Sequence, residues 1–431
     1  GSLTFYKNGV SQGVAFTGLS GELYPALGDA TSSSVVLTAN FGQDSSFAGT
    51  KTPQGNTDAN GIGDFYYAPP TGYLALCTAN LPEPVISPLN DVSPSDYFGV
   101  STYTGNGSTL TVNTTTYPDL IWIKNRGRAN SHVLSDGIRG FTKMLSSDRT
   151  DAESLFFGTG QDIRNVTDGS FDVYTPNSGY GEINYTNDPY VAWNWKANGT
   201  GVSNADGTIT STVSANVDSG FSIVSYTGTD ATNTVGHGLN QAPDVVIFKT
   251  RNVARNWVYA DSGTQQYGHL ESTLAFGSLS YVVTGLTDTT IGLPDSSVGG
   301  HTYTNNVGDS YVAYCFHSVE GFSKFGSYTG NGSADGTFVY TGFRPSLVLC
   351  KRTDSAASWF IFDDKRDTYN EQYKTLLPNS SAAEDASTAD EHDFLSNGFK
   401  WRSTGGGVNA SGGTYIYMAF AENPFKYSTA R

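Results

Sequence analysis

Short apolar runs rich in Val, Ile, Phe, Trp and Tyr recur along this 431-residue chain, separated by clusters of Gly, Asn, Asp and Pro. Runs of this kind read as β-strands. Several do not alternate: Leu120-Ile121-Trp122-Ile123, Val245-Val246-Ile247-Phe248 and Leu347-Val348-Leu349-Cys350 are apolar throughout. Such strands are expected to be buried on both faces. Asn106-Gly107, Asp168-Gly169, Asp206-Gly207, Asn331-Gly332, Asp335-Gly336 and Asn397-Gly398 are turn signals, because tight hairpin turns need positive φ. Helix is scarce. Tyr369, Tyr373, Leu376 and Leu377 stand at helical spacing and predict one short helix over Lys365–Leu377, with Arg139–Leu145 as a counterpart.

The strands fall into a repeat, the signature of a modular architecture. Tyr-Thr-Gly occurs at 103–105, 226–228 and 328–330. Each is followed by a proline, an apolar run and a basic residue: Pro118 to Lys124, Pro243 to Lys249 and Pro345 to Lys351. A second run then ends in Asp136, Asp261 or Asp363, and a Tyr-led strand begins at Tyr190, Tyr311 or Tyr415. Four markers in one order, three times, predict three copies of one fold, with Trp122, Phe248 and Leu349 at equivalent buried positions.

The N-terminal stretch differs. Leu3 to Val10 is a strand with an Asn8-Gly9 turn, and Gly13-Val14-Ala15-Phe16 is its partner; Leu23-Tyr24-Pro25-Ala26-Leu27 and Asn40-Phe41-Gly42 follow. This series resembles the second half of a SPRY domain, a concanavalin-like β-sandwich used for recognition. Three prolines within Leu81–Pro88 mark a linker. The expected organisation is a partial SPRY-like sandwich (1–80), a Pro-rich linker (81–96), β repeat units at 97–199, 220–321 and 322–431, and a second linker at 200–219. The fold class is mainly β, with sandwich-like repeats and very little helix. A SPRY-like segment followed by tandem Tyr-Thr-Gly…Pro-Asp-Leu-Ile-Trp-Ile-Lys units resembles large structural proteins of tailed bacteriophages. The resemblance implies a virion surface protein, a tail fibre or capsid appendage, extracellular, assembled with other virion proteins and itself a homo-oligomer, with a trimer expected. It also implies host attachment.

Composition narrows the alternatives. The net charge is −16, with only 15% charged residues and 50 glycines. An acidic chain without a basic block does not suit nucleic acid. No apolar run is long enough to span a membrane as a helix. Cys77, Cys315 and Cys350 are too few and too scattered for a disulfide framework or a Cys-based zinc site, and Cys315 and Cys350, inside apolar runs, read as buried thiols. The six histidines show no His-Glu-x-x-His spacing, and there is no Gly-x-Ser-x-Gly elbow or phosphate loop. No cofactor, metal or catalytic residue is therefore assigned. The recurring Asp136, Asp261 and Asp363 read as turn acceptors and Lys124, Lys249 and Lys351 as strand-end contacts. The acid clusters around Asp151–Glu153 and Glu384–Asp393 read as solvated loops, calcium being the alternative. Aromatic rings beside Asn, Asp and Ser on loops suit sugar stacking, and Tyr174, Tyr180 and Tyr185, in the long stretch of the first repeat, are the candidate ligand-binding residues. Host glycan binding by a non-enzymatic protein is the favoured expectation. Purely structural decoration and a glycan depolymerase are its rivals.

Overall fold

The computed structural model describes residues 1–20, 36–155, 161–175 and 182–428. The chain forms two compact units, Gly1–Glu83 and Pro84–Arg431. In the first, β1 (Ser2–Lys7) and β2 (Val10–Thr17) form an antiparallel hairpin, with Asn8 and Gly9 both at positive φ in the turn. Residues 36–83 are turns and bends with no second sheet layer among the described residues. Asp58 organises them by accepting bonds from the amides of Asn60, Ile62 and Ala75 and from Asn80 Nδ2. The Leu23–Leu27 segment lies outside the described residues.

The second unit carries the repeat. Repeat one contains β3 (Phe98–Thr104), β4 (Thr109–Asn113), β5 (Leu120–Asn125), β6 (Val133–Asp136), the short pair β7 (Lys143–Met144) and β8 (Ser154–Leu155), then β9 (Asp162–Thr167), β10 (Ser170–Tyr174) and β11 (Pro189–Trp195). Next come β12 (Val202–Asn204) and β13 (Ser211–Asn216). Repeat two contains β14 (Phe221–Thr227), β15 (Asn233–Gly236), β16 (Val245–Thr250), β17 (Val258–Asp261), β18 (Gln266–Gly268), β19 (Gly277–Ser278), β20 (Gly285–Leu286), β21 (Thr290–Leu293) and β22 (Ser310–Phe316). Repeat three contains β23 (Ser323–Thr329), β24 (Phe338–Tyr340), β25 (Phe343–Arg352), β26 (Trp359–Asp363), β27 (His392–Leu395), β28 (Gly398–Trp401) and β29 (Thr414–Pro424).

Sheet order is the same in all three. An inner sheet runs β3-β11-β5-β6, β14-β22-β16-β17 or β23-β29-β25-β26. A three-stranded outer sheet runs β4-β10-β9, β15-β21-β20 or β24-β28-β27. Between the two layers lies a core private to each repeat, built around Phe171 and Ile123, around Phe248 and Ile291, or around Phe399 and Trp401. The other faces of the three inner sheets meet in one shared core containing Trp122, Trp193, Ile247, Tyr314, Leu349 and Met418. Burial on both faces explains why β5, β16 and β25 do not alternate in polarity. An apolar cavity of only about 20 Å³ remains in that shared core.

The register corrects one equivalence. Trp122 pairs with Trp193, Ile247 with Tyr314 and Leu349 with Met418, so Ile247 is the counterpart of Trp122. Phe248 pairs with Ala313 and points to the private core of repeat two. Side chains alternate faces along a strand, so a one-residue slip moves a side chain to the opposite layer. Volume is balanced between positions: bulky Trp122 faces the smaller His132, while Ile247 and Leu349 accompany Trp257 and Trp359.

Two further expectations change. The only α-helix among the described residues is α1 (His301–Thr304), and none is long and apolar enough to cross a membrane. Lys365–Leu377 forms turns instead. There the Asp363 carboxylate accepts the amides of Lys365 and Arg366, and Asp367 accepts those of Tyr373 and Lys374, which fixes the backbone locally without a helical ladder. Arg139–Leu145 likewise holds a turn and β7. Residues 200–219, expected to be a linker, contain β12 and β13, which pair in sequence onto β14 and widen the inner sheet of repeat two. Cys315 and Cys350 are free, buried thiols in separate private cores.

Candidate functional site

The Tyr-Thr-Gly motif is a clasp. Tyr103, Tyr226 and Tyr328 stack on Tyr190, Tyr311 and Tyr415 at 4.8–5.2 Å between ring centroids, and their hydroxyls donate to the carbonyls of Ile183, Thr304 and Val408. The residue after each carbonyl is a fully buried asparagine, Asn184, Asn305 or Asn409, whose Oδ1 accepts the amide of Asn106, Thr229 or Asn331 just beyond the glycine. A Cβ on Gly105, Gly228 or Gly330 would lie 2.1–2.3 Å from a carbonyl oxygen of this loop. The motif therefore maintains the fold.

The recurring lysines join the repeats in a cycle. Lys124 Nζ donates to Ser381 O of repeat three, Lys249 to Thr150 O of repeat one and Lys351 to Thr273 O of repeat two. Burial pushes each ammonium down to about 8. Ring donors follow the same cycle. His132 Nε2 bonds Leu377 O, Trp257 Nε1 donates to Ser146 O and Trp359 Nε1 to His269 O. Trp122 Nε1 donates to His132 Nδ1, so His132 is the Nε2–H tautomer.

The recurring aspartates do accept turn amides: Arg139 N, Thr264 N and Arg366 N bond to Asp136, Asp261 and Asp363 at 2.8–2.9 Å. They also meet the next repeat. Asp136 Oδ2 accepts Arg139 Nε at 2.5 Å and the hydroxyl of Tyr314 in repeat two. Asp363 Oδ2 accepts Arg366 Nε at 2.5 Å and Trp193 Nε1 in repeat one. Glu153 lies between Arg139 and Arg251, and Glu384 between Arg366 and Arg126, closing two Arg–Glu–Arg networks across the first–second and third–first seams. Glu153 and Glu384 are thus largely buried ion-pair partners, unlike the solvated acids expected of their clusters. The seam between repeats two and three lacks the network. Thr264, Phe276, Thr353 and Met418 stand at the corresponding places, while Phe276 N still donates to Thr353 O as Glu153 N does to Arg251 O and Glu384 N to Arg126 O. The Asp-x-x-Arg spacing at 136–139 and 363–366 was the available sequence signal for these arginines.

The candidate tyrosines stand in arginine stacks. Tyr174 ends β10, and the Arg164 guanidinium, itself paired with Asp162, lies 3.8 Å from its ring centroid. Arg128, paired with Asp188, lies 4.1 Å from the ring of Tyr185. Both tyrosines are half-buried and border the Asn184 clasp, since Asn184 Nδ2 also reaches Val173 O. Tyr180, with Phe156 and Phe157 of the same long stretch, lies outside the described residues. No three His, Cys, Asp or Glu side chains among the described residues are grouped to hold a metal.

Two open concavities are found among the described residues. A cleft of about 310 Å³ lies where β13 and β14 approach Arg251, lined by Ser203, Thr210, Thr212, Ser225, Thr227 and Ser310. Ser225 Oγ bonds Tyr311 O and Arg251, and Arg251 also holds Glu153. The hydroxyls of Ser203, Thr210, Thr212, Thr227 and Ser310, which line the cleft, make no hydrogen bond to another described residue. A smaller pocket of about 110 Å³ sits at the second–third seam against Asp244 and Asp261. Chemically, the first offers neutral donors and acceptors and the second offers negative charge.

No curated protein and no solved structure matches the chain. A family profile does match, over residues 93–424, which take in all three repeats and the seams between them. The chain belongs to the family described as domain of unknown function DUF7483.

Proposed function

We propose that the chain is a non-enzymatic virion surface protein, a tail fibre or surface appendage, that attaches the particle to its host by binding carbohydrate in the hydroxyl-lined cleft of the second repeat. The observation that carries the reading is the set of five hydroxyls around that cleft without a partner among the described residues. Sugars are recognised by short polar side chains that both donate and accept, and Ser and Thr hydroxyls do both. The volume of about 310 Å³ is at the low end of the range for small-ligand sites. The non-enzymatic part rests on the acids. A glycoside hydrolase needs two carboxyls across a cleft, whereas Asp136 and Asp363 are engaged in buried bonds to arginine, ring donors and turn amides. Trimerisation, contact with other virion proteins and the extracellular location belong to the same proposal. The long stretch holding Tyr174 and Tyr185 is the second place where a glycan could bind, with arginine-backed rings as stacking platforms.

The test is a glycan array probed with the wild-type chain and with Thr210→Val, Thr212→Val and Thr227→Val combined. These residues are exposed, so the variant should keep its melting temperature. Loss of glycan binding is expected. Wild-type binding by the variant would remove the cleft, and a further Tyr174→Ala and Tyr185→Ala pair then tests the other site. Particles that carry the combined variants and still adsorb normally to host cells would support structural decoration instead.

A further inference from the structure

The second–third seam keeps an aspartate whose cation is missing. Asp136 and Asp363 each hold an arginine Nε at 2.5 Å from Oδ2. Their counterpart Asp261 is followed at the arginine position by Thr264, which bonds Oδ1 through its amide and hydroxyl. Oδ2 of Asp261 accepts no hydrogen bond among those of the described residues, although the residue is only 3% exposed; the Gly263 amide also acts on the carboxyl. Asp244 stands beside it, spending Oδ2 on the amide and hydroxyl of Ser318. The pocket of about 110 Å³ lies against both carboxylates and is completed by Gly263, Thr264 and residues 325–327. It opens to solvent past Gly263 and Ser327. An independent sign comes from Tyr259, two residues before Asp261 on the same strand face. Its hydroxyl is fully buried with no partner among the described residues.

We propose that this pocket binds a guanidinium group supplied from outside the chain, paired by Asp261. Both equivalent aspartates in the molecule hold this cation, and neither holds an ammonium. A guanidinium presents a planar fork that matches a carboxylate edge, and Ser327 and Asp244 add acceptors within the same cavity. A hard metal ion needs about six oxygen ligands, and two carboxylates do not supply that set. The net charge of −16 draws cations toward the surface. The guanidinium could belong to an arginine side chain of a partner protein or to a free guanidino compound. The proposal is independent of the carbohydrate reading, because the cleft and this pocket share no residue.

Calorimetric titration of the full chain at constant ionic strength tests it, using guanidinium chloride, L-arginine amide and the peptide acetyl-Gly-Arg-Gly-amide, with methylammonium and calcium chloride as comparators. Guanidinium probes are expected to bind in the millimolar range or tighter. Asp261→Asn, which keeps Oδ1 for the turn, should weaken them about tenfold or more, the effect of losing a charged hydrogen bond. Thr264→Arg should abolish their binding by tethering a guanidinium in the pocket. A peptide that binds more tightly than arginine amide identifies a protein partner; the reverse order identifies a small molecule. Absence of binding by all three guanidinium probes overturns the proposal, as does unchanged affinity in Asp261→Asn or tighter binding of calcium or methylammonium at the same site. If Thr264→Arg does not fold, the Asp261→Asn comparison decides alone.

Discussion

Two of the three seams between repeats carry an Arg–Glu–Arg network and the third keeps its aspartate without one. At the ionic seams the set is arginine after the aspartate, glutamate on the adjoining loop, arginine just past the end of the facing strand and an N–H or O–H ring donor, Tyr314 or Trp193. At the third the set is Thr264, Phe276, Thr353 and Met418. The backbone bond beneath it is nearly unchanged, at 2.6 and 2.9 Å in the ionic seams and 2.9 Å in the third. The main chain therefore sets the docking geometry, and the side chains above it are exchangeable as a set. Buried charges explain why the arginines and the glutamate are exchanged together. Each must leave water, and only full pairing offsets that cost. A lone arginine or glutamate on this frame would be worse than none.

The largest expected effect follows from breaking an ionic set. Arg139→Ala or Arg366→Ala should each cost about 3–5 kcal/mol in urea unfolding, because Asp136 or Asp363 is left charged and buried. Thr264→Ala at the third seam should cost less, about 1.5 kcal/mol, one hydrogen bond from a hydroxyl to a carboxylate. Equal losses at all three sites would break the comparison. Next, converting the first seam wholesale, with Arg139→Thr, Glu153→Phe, Arg251→Thr and Tyr314→Met together, should leave the protein within about 2 kcal/mol of wild type, less than Arg139→Ala alone, since neighbouring substitutions are not additive. A loss as large as the sum of the single changes would show that the sets are not interchangeable.

Acid should loosen one seam selectively. Burial holds the His132 imidazole well below 6.5, and its Nδ1 is already taken by the Trp122 N–H. The folded pKa is thus below the unfolded one, so the unfolded chain takes the proton first. The stabilisation is complete above about pH 6.5 and shrinks as pH falls, by about 1.4 kcal/mol per pH unit until the folded pKa is reached. Trp257 and Trp359 occupy this place at the other seams and do not titrate. The stability difference between wild type and His132→Phe should therefore narrow from pH 7 to pH 5. A constant difference would contradict the assignment. A further expected effect is Trp193→Phe, about 1.5–2 kcal/mol from the lost bond to the Asp363 carboxylate, measured by thermal unfolding.

The repeat, the strands, the two-sided burial of β5, β16 and β25 and the structural role of the recurring lysines and aspartates could be read from residue order. The register of Phe248 could not be settled by matching apolar runs, because neighbouring residues in a fully apolar strand look alike while facing different cores. The turn over Lys365–Leu377 escaped because helical spacing was read without the competing Asp363 and Asp367 acceptors. Among the candidate ligand residues, Tyr174 and Tyr185 are on the first repeat as expected. The arginines that stack on them come from other strands or loops and are invisible to a local pattern.

The sequence by itself determined what is local: which segments are strands, where glycine must pass under a carbonyl, and that one unit is used three times. Tertiary structure decided what lies between the repeats. The cyclic contact of Lys124 with Ser381, the pairing of Arg126 with Glu384 and the place of Asp261, which has no arginine, all join residues from different repeats or depend on what the seam lacks. Local pattern follows from backbone periodicity and turn sterics, which act over a few residues. The fate of a buried charge is set by whichever group the closed fold places against it, and that distance is fixed only when the three inner sheets close on one core.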